Sequence, residues 1–208
     1  MSDRKRVGIL ISGSGSNMVA LVRAMRAESF PASAALVLSN WPDAGGLAKA
    51  SELGVPTAVV DHRDFRGNRE GFDAAVDRQL RDAGVDLVAA AGFMRVLGKA
   101  FVAGWEGRAL NIHPSLLPLF PGLDTHARAL EAGVAIHGCT VHEMTAELDG
   151  GPILGQAAVP VLAGDTPEIL AARVLVQEHR LYPAVLSAYA RDAAAARKSP
   201  VALLSGEG

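Results

Sequence analysis

The sequence predicts an α/β protein with an open, mostly parallel Rossmann-like sheet, helices on both faces and an antiparallel C-terminal extension. Short, continuously apolar segments alternate with helical segments from the N-terminus to Ala91. That alternation is typical of buried parallel strands joined by right-handed crossover helices. The rhythm changes after Ala109, where Pro and Gly become frequent and two strand-like segments follow each other without a helix between them.

The first strand–loop–helix unit contains a predicted phosphate site. Residues 7–11 are an apolar strand, residues 12–17 are Ser, Gly and Asn, and residues 18–25 form a helix. Gly13 and Gly15 let a ligand approach the backbone, and a helix N-terminus favours an anion. A phosphate loop is therefore favoured over a plain turn. The segment lacks the complete dinucleotide and triphosphate motifs, so we expect a single phosphate group.

The same pattern then returns along the chain. We predict strands at residues 35–39, 57–60 and 86–91, and helices at residues 45–53 and 69–83. A fifth strand ends at His113, because Pro114 and Pro118 exclude a helix or an interior strand beyond it. Ligands of open α/β sheets gather outside the carboxyl ends of strands, so a polar residue at this strand end lies where chemistry can occur.

The C-terminal half is predicted to contain a helix at residues 125–132, two strands at 137–144 and 152–159, and one long helix. That helix begins at Thr166 or Pro167, where a polar cap precedes a proline, and runs towards Arg191. Residues 191–208 are expected to be a peripheral tail. With no second-domain boundary visible, we expect one domain over residues 1–208, with its core at about residues 6–190.

Composition narrows the class of protein. The 208 residues are 50% hydrophobic, and 20 Lys and Arg face 22 Asp and Glu, giving a formal charge of −2. We expect no nucleic-acid partner, since there is no basic stripe to neutralise phosphates. The single cysteine, Cys139, excludes a disulfide framework and a Cys-rich zinc site. No apolar run reaches the roughly 20 residues that cross a bilayer, and the start is hydrophilic, so we expect a cytoplasmic protein without a membrane partner.

Three polar residues are candidates for catalysis of acyl-type transfer: Asn111, His113 and Asp149. An amide can donate to a carbonyl oxygen, an imidazole changes charge near neutral pH, and a carboxylate can orient the imidazole or move a proton. Asn111 and His113 share one face of a strand. Taken singly, His113 could be an ordinary strand-end residue and Asp149 an ordinary turn residue. No paired Ser or Cys nucleophile is evident, which favours direct attack by a substrate.

Other polar residues carry weaker signals. His137 and His142 do not form a metal-binding pattern with His113, and we predict no metal. The turn at residues 92–97 could hold a flat heterocycle, although spacing alone favours a turn packed into the core. Glu178 and His179 lie inside the long helix, where a surface position is the simpler interpretation.

Several of these segments together resemble the glycinamide ribonucleotide transformylase family, the folate-dependent formyltransferases of purine synthesis. The resemblance runs from about Arg6 to about Ala190. It is carried in order by residues 11–17 (ISGSGSN), 91–97 (AGFMRVL), 110–118 (LNIHPSLLP), 137–142 (HGCTVH), 147–153 (ELDGGPI) and 177–179 (QEH).

The resemblance implies formyl transfer from 10-formyltetrahydrofolate to the amine of glycinamide ribonucleotide. It implies that Asn111, His113 and Asp149 are catalytic, and that the ribonucleotide is bound by Gly15, Ser16, Asn17 and Glu178. The folate pocket would be lined by Arg69, Met94, Arg95, Val96, Leu97, Asn111, Thr145, Ala146, Glu147, Leu148 and Asp149. For residues 94–97 and Glu178, this expectation replaces the one from spacing.

The expected partners are small-molecule substrates, and the expected state is a monomer or a homodimer. Three alternatives remain open at this point. One is a 10-formyltetrahydrofolate hydrolase. A second is a formyltransferase acting on another amine, such as methionyl-tRNA or a sugar amine. The third is a non-catalytic module that binds a phosphosugar through the Gly/Ser loop.

Overall fold

The computed structural model describes residues 4–204, and their contacts divide the chain into two compact units, Met1–Asn111 and Ile112–Gly208. The expectation of a single domain over residues 1–208 stays a prediction. Within the described residues, no helix is both long enough and apolar enough to cross a membrane.

The first unit is built on parallel strands, as predicted. The elements are β1 (Lys5–Ile11), α1 (Ser16–Met25), β2 (Ala32–Ser39), α2 (Gly45–Glu52), β3 (Thr57–Val59), a 3-10 helix (His62–Phe65), α3 (Arg69–Asp82), β4 (Leu87–Ala90), α4 (Lys99–Gly104) and β5 (Ala109–His113), whose last two residues belong to the second unit. The strand order is β3-β2-β1-β4-β5, and each neighbouring pair is parallel. Neither the 3-10 helix nor α4 was predicted.

Burial explains why these segments fold as strands and helices. The last five residues of β1 are all buried, as expected for a parallel strand covered on both faces. Helix α1 turns one apolar side inward, with Met18, Leu21, Val22 and Met25 at helical spacing and each at most 4% exposed. The carboxyl end of β1 and the start of α1 are thereby fixed by packed side chains.

The second unit contains an antiparallel pair followed by helices. Its elements are α5 (Thr125–Glu131), β6 (Ile136–Glu143), β7 (Ile153–Pro160), α6 (Pro167–Arg191), α7 (Ala193–Lys198) and β8 (Val201–Leu204). Strands β6 and β7 are antiparallel, which matches the predicted extension, and β8 adds to β7 in parallel. Residues 191–208 are predicted to be a peripheral tail. Within them α7 and β8 form, with Val201 paired to Gly155, and residues 205–208 lie outside the described residues.

Helix α6 begins and ends where the sequence predicted. The Thr166 hydroxyl accepts the Ile169 N–H at 3.4 Å, and Pro167 occupies the first turn. Its buried side includes Leu170, Val174 and Leu181, each 0% exposed, and it packs against β6 and β7.

A buried polar cluster holds the loop that follows His113. The Thr140 hydroxyl donates to the Ser115 carbonyl at 2.7 Å and accepts the Leu117 N–H at 3.0 Å. The Gln156 amide donates to Thr140 at 3.0 Å and to the Leu117 carbonyl at 2.8 Å. Because these groups are buried and paired, the loop is anchored to β6 and β7.

The hairpin of β6 and β7 requires glycine at two positions. A Cβ at Gly138 would collide with the Ala157 carbonyl oxygen, and a Cβ at Gly151 would collide with the Glu143 carbonyl oxygen. The two backbones of the hairpin therefore approach each other closely at two places. One lies within the strands, where Gly138 pairs with Ala158, and the other lies at the end of the turn that carries Asp149, where Gly151 meets Glu143.

Candidate active site

The predicted phosphate loop joins β1 to α1 in the first unit. Gly15 precedes the helix with φ 69°, a left-handed conformation that favours glycine, and no side chain caps α1. A Cβ at Gly15 would lie 2.9 Å from the Gly46 Cα. Ser16 and Asn17 form the first turn, where backbone N–H groups and the helix dipole favour an anion.

The Ser12 hydroxyl links this loop to the segment at residues 92–97. It accepts the Met94 N–H at 2.7 Å and donates to Asn40 Oδ1 at 2.5 Å, while the Ser12 N–H donates to the Gly92 carbonyl at 3.0 Å. Sequence analysis did not single out Ser12 or Asn40. Their pairing across separate strand ends leaves no signal in local spacing.

The segment at residues 92–97 is less buried than spacing alone suggested. Met94 is 71% exposed and Val96 is 59% exposed, whereas Leu97 is 6% exposed. The Arg95 guanidinium lies 5.6 Å from the centre of the Phe72 ring, and Arg69 begins α3 with its Nε 4.0 Å from Asp73 Oδ2. Exposed apolar side chains beside two cations suit a flat, anionic ligand.

His113 and Asp149 are brought together in the second unit. The His113 side chain is 7% exposed, and its Nδ1 lies 3.5 Å from Asp149 Oδ2. The other ring nitrogen, Nε2, lies 3.0 Å from the Phe120 carbonyl oxygen. Both neighbours are hydrogen-bond acceptors, so the imidazolium is the form of the ring that satisfies both.

Asp149 is held in an unusual conformation in the turn between β6 and β7. Its φ is 53°, in the left-handed region that Asp tolerates better than most residues. The Gly122 N–H donates to its Oδ2 at 2.9 Å, and its side chain is 7% exposed. The carboxylate is therefore oriented from the loop after β5 as well as by His113.

A second histidine, His142, faces Asp149. Sequence analysis did not predict this contact. His142 Nε2 lies 3.7 Å from Asp149 Oδ1, and His142 Nδ1 lies 2.9 Å from the Glu143 carbonyl oxygen. Burial lowers the pKa of His142, although the Glu143 carbonyl and Asp149 oppose that shift. Donation from Nδ1 to the Glu143 carbonyl favours the Nδ1–H tautomer, and the other ring nitrogen, Nε2, faces Asp149. Its position two residues after Thr140 on one strand face was the available signal.

Two further histidines, the buried His137 and the half-buried His126, lie beside this group. The His137 ring is 5.2 Å from the His126 ring and 5.9 Å from the Phe120 ring. Burial lowers the pKa of His137 to about 4. The Pro114 main chain opposes this shift, although it makes no hydrogen bond with the ring. Across residues 4–204 there is no group of three or more His, Cys, Asp or Glu side chains that could hold a metal ion.

The remaining predicted residues fall in both units. Asn111 is half-buried on β5, two residues before His113. In the second unit, the Thr145 hydroxyl donates to the Glu147 carbonyl at 3.1 Å, and Leu148 is 60% exposed, as is typical of a turn that offers side chains to a ligand. Ala146 and Glu147 are also exposed. Glu178 is only 7% exposed on α6, so the surface position suggested by spacing is wrong.

Comparison with known proteins assigns this chain to a family. Residues 5–186 match the sequence model of the formyl transferase family. Phosphoribosylglycinamide formyltransferase of Escherichia coli (strain K12) is 46% identical over 182 residues, which cover 88% of this chain and 85% of that protein. The trifunctional purine biosynthetic protein adenosine-3 of Gallus gallus is 48% identical over 192 residues. The chain spans about a fifth of the length of that relative, 19% of it.

Comparison with solved structures indicates the same family. The crystal structure of phosphoribosylglycinamide formyltransferase from Brucella melitensis is 55% identical with a TM-score of 0.86, covering 90% of this chain and 96% of that one. Glycinamide ribonucleotide transformylase 1 from Symbiobacterium toebii is 47% identical with a TM-score of 0.88, covering 90% and 88%. The predicted fold class and the resemblance seen in the sequence are confirmed. The chain belongs to the formyl transferase family.

Proposed function

We propose that this chain transfers the formyl group of 10-formyltetrahydrofolate to the amine of glycinamide ribonucleotide in de novo purine biosynthesis. The observation that carries the proposal is the buried pair of His113 and Asp149, 3.5 Å apart at the end of a strand. Membership of the formyl transferase family and relatives named for this reaction support the choice of substrates.

The pair suits direct transfer between the two substrates. The amine nitrogen attacks the formyl carbon, and the carbonyl oxygen takes up negative charge as the new C–N bond forms. We assign stabilisation of that oxygen to the Asn111 amide and the His113 imidazolium, where one oriented donor is worth about 2.7 to 4 kcal/mol. The bond from the formyl carbon to N10 then breaks. Asp149 carries the proton lost by the amine to N10, so that the products are a formamide and tetrahydrofolate.

Cys139 does not offer a competing covalent route. It is 0% exposed inside β6, and burial, together with the charge of Glu178, raises the pKa of its thiol. A thiol that stays protonated and buried is a poor nucleophile. Attack by the substrate amine is therefore the chemistry that this set of side chains favours.

The binding roles follow from the family resemblance and the exposure of the side chains. We assign the phosphate of glycinamide ribonucleotide to Gly15, Ser16 and Asn17, where α1 begins without a side-chain cap, and we assign Glu178 to the same substrate. We assign the folate to Arg69, to residues 94–97 and to residues 145–149, whose exposed Met94, Val96 and Leu148 suit a pteridine ring.

Cellular context completes the proposal. We propose a cytoplasmic enzyme that acts on small molecules without a metal, as a monomer or a homodimer. The near-neutral formal charge of −2 supports small-molecule partners over nucleic acid.

The test is an assay of tetrahydrofolate formation with glycinamide ribonucleotide present and then omitted. Product that forms only with the ribonucleotide supports the transferase. Product that forms equally without it selects the hydrolase, and tight ligand binding with no product selects a phosphosugar-binding module.

Replacing His113 tests the catalytic assignment. His113→Ala should lower kcat by roughly 10² to 10³ while the KM for the folate changes little, because the lost donor acts mainly in the transition state. Circular dichroism would verify that the variant folds. A folded variant with near-normal kcat would show that another residue carries the charge.

A further inference from the structure

The C-terminal segment places a cation, the 39% exposed side chain of Arg197, beside a buried carboxylate. Glu143, the last residue of β6, has a side chain that is 9% exposed. Arg197, on α7, donates from Nε to Glu143 Oε1 and from Nη2 to the Tyr189 hydroxyl at 3.0 Å. The Tyr189 hydroxyl donates to the same Oε1 at 3.0 Å. Three side chains from β6, α6 and α7 thus meet at one carboxylate oxygen.

Arg197 supplies the positive charge in this cluster. Burial and the neighbouring Glu143 raise the pKa of Tyr189 to about 12, so the phenol stays neutral and can donate a hydrogen bond without neutralising the carboxylate. A carboxylate that is removed from water needs a paired charge, or it takes up a proton or moves back to solvent. The buried position of the Glu143 side chain therefore depends on Arg197.

The main chain of Glu143 is equally constrained. Its N–H donates to the Pro152 carbonyl at 2.9 Å, and its own carbonyl accepts from His142 Nδ1 at 2.9 Å. Gly151 packs against that carbonyl with no room for a Cβ. The orientation of the His142 ring is therefore set by the position of Glu143.

His142 in turn faces the proposed catalytic carboxylate. Its Nε2 lies 3.7 Å from Asp149 Oδ1, while the other oxygen of Asp149 faces His113 at 3.5 Å. A continuous series of contacts thus runs from Arg197 through Glu143 and His142 to Asp149. All of these residues belong to the second unit.

We propose that Arg197 is a positioning residue for formyl transfer, which anchors Glu143 and thereby holds His142 against Asp149. This inference rests on the proposed function for its kinetic consequence. Its structural content, that Arg197 fixes the His142 ring, stands independently. The segment at residues 193–204 then contributes to the site through Arg197 and Glu143.

The test compares three variants of the full chain. Arg197→Met removes the charge but keeps an apolar stem over the Tyr189 ring, and Arg197→Lys restores a cation. Lys198→Met removes the same charge from the exposed neighbouring position on α7. Two readouts are needed: the separate values of kcat and KM, and the ¹⁵N resonances of the histidine rings, which report which ring nitrogen carries the proton.

We expect Arg197→Met to lower kcat by roughly ten- to a hundredfold with little change in either KM, as a misplacement of about 1 Å does. The wild-type spectrum should show His142 protonated at Nδ1, and the Arg197→Met spectrum should show exchange between both ring nitrogens. Arg197→Lys should recover most of the activity, and Lys198→Met should match the wild type in both readouts.

Wild-type kcat and unchanged His142 resonances in Arg197→Met would overturn the inference. If the wild type transferred no formyl group, the proposed function would fail, and the resonances alone would still decide whether Arg197 fixes His142.

A double-mutant cycle covers the case in which Arg197→Met folds poorly. Glu143→Gln needs no counter-charge, so adding Arg197→Met to it should cost little more than Glu143→Gln alone. Full additivity of the two effects would show that Arg197 acts elsewhere and would also overturn the inference.

Discussion

Asp149→Asn isolates the charge of the proposed catalytic carboxylate from its shape. The asparagine carbonyl can still accept the Gly122 N–H, which Asp149 Oδ2 accepts at 2.9 Å. The new amide nitrogen would replace Oδ1, which lies 3.7 Å from His142 Nε2. In the Nδ1–H tautomer of His142, Nε2 is an acceptor, so the asparagine amide can donate to it. The variant should therefore fold with nearly unchanged stability.

The expected loss of activity follows from the distance to His113. At 3.5 Å and an effective dielectric constant of about 20, two unit charges attract by about 5 kcal/mol, which is an upper limit for the stabilisation of the imidazolium. The share of this energy that stabilises the developing oxyanion in the transition state should be comparable to that of one oriented donor, about 4 kcal/mol. Removing the charge should therefore lower kcat about 10³-fold. The KM for either substrate should change little.

Steady-state formation of tetrahydrofolate measures both constants. Asp165→Asn is the matched control, because Asp165 is also a paired carboxylate of the second unit, with Arg173 at 2.6 Å, and has no proposed role in the site. A folded Asp149→Asn variant within about tenfold of wild-type kcat would refute the electrostatic reasoning, since it would leave only about 1.4 kcal/mol for the carboxylate.

Two further predictions concern stability. The pKa of buried His137 is lowered from 6.5 to about 4. Between these two pH values the unfolded chain binds a proton at His137 and the folded chain does not. The free energy of unfolding should therefore fall by up to about 3 kcal/mol as the pH falls from 6.5 to 4. Urea unfolding at pH 7 and at pH 5 should show a smaller loss of stability in His137→Leu than in the wild type. An equal loss in the variant and the wild type would contradict this prediction. Thr140→Val should lower the free energy of unfolding by about 1 to 3 kcal/mol for each buried partner that it leaves unpaired, the Leu117 N–H being the first of these. The control Thr145→Val, at an exposed position, should have nearly the stability of the wild type.

Local signals made much of the fold predictable. The polar cap and proline before α6 placed its start at Thr166 or Pro167, and the structure begins the helix at Pro167. The apolar run of β1 and the glycines after it predicted a strand and a loop, because both depend on neighbouring residues alone. The short helix α4 escaped prediction, since its 6 residues give too little periodicity.

The support of the site was not predictable in the same way. Glu143 and Arg197 are 54 positions apart, and their pairing depends on how α7 packs. The strand character of residues 201–204 comes from backbone pairing to β7, which leaves little trace in the side chains. His142 carried a signal on its strand face, but its meaning depends on the position of Asp149, which the turn determines. Tertiary contacts therefore decide what local patterns leave open.

The two crowded glycines have a practical consequence for altering how this protein would bind its proposed folate donor. Gly138 lies within β6 and Gly151 lies at the end of the turn that carries Asp149, and neither position tolerates even a methyl group. A mutational library aimed at the turn should therefore keep both glycines fixed and randomise Ala146, Glu147 and Leu148, which are exposed. Diversity introduced there would alter the turn that we assign to the folate while the strands of the hairpin stay intact.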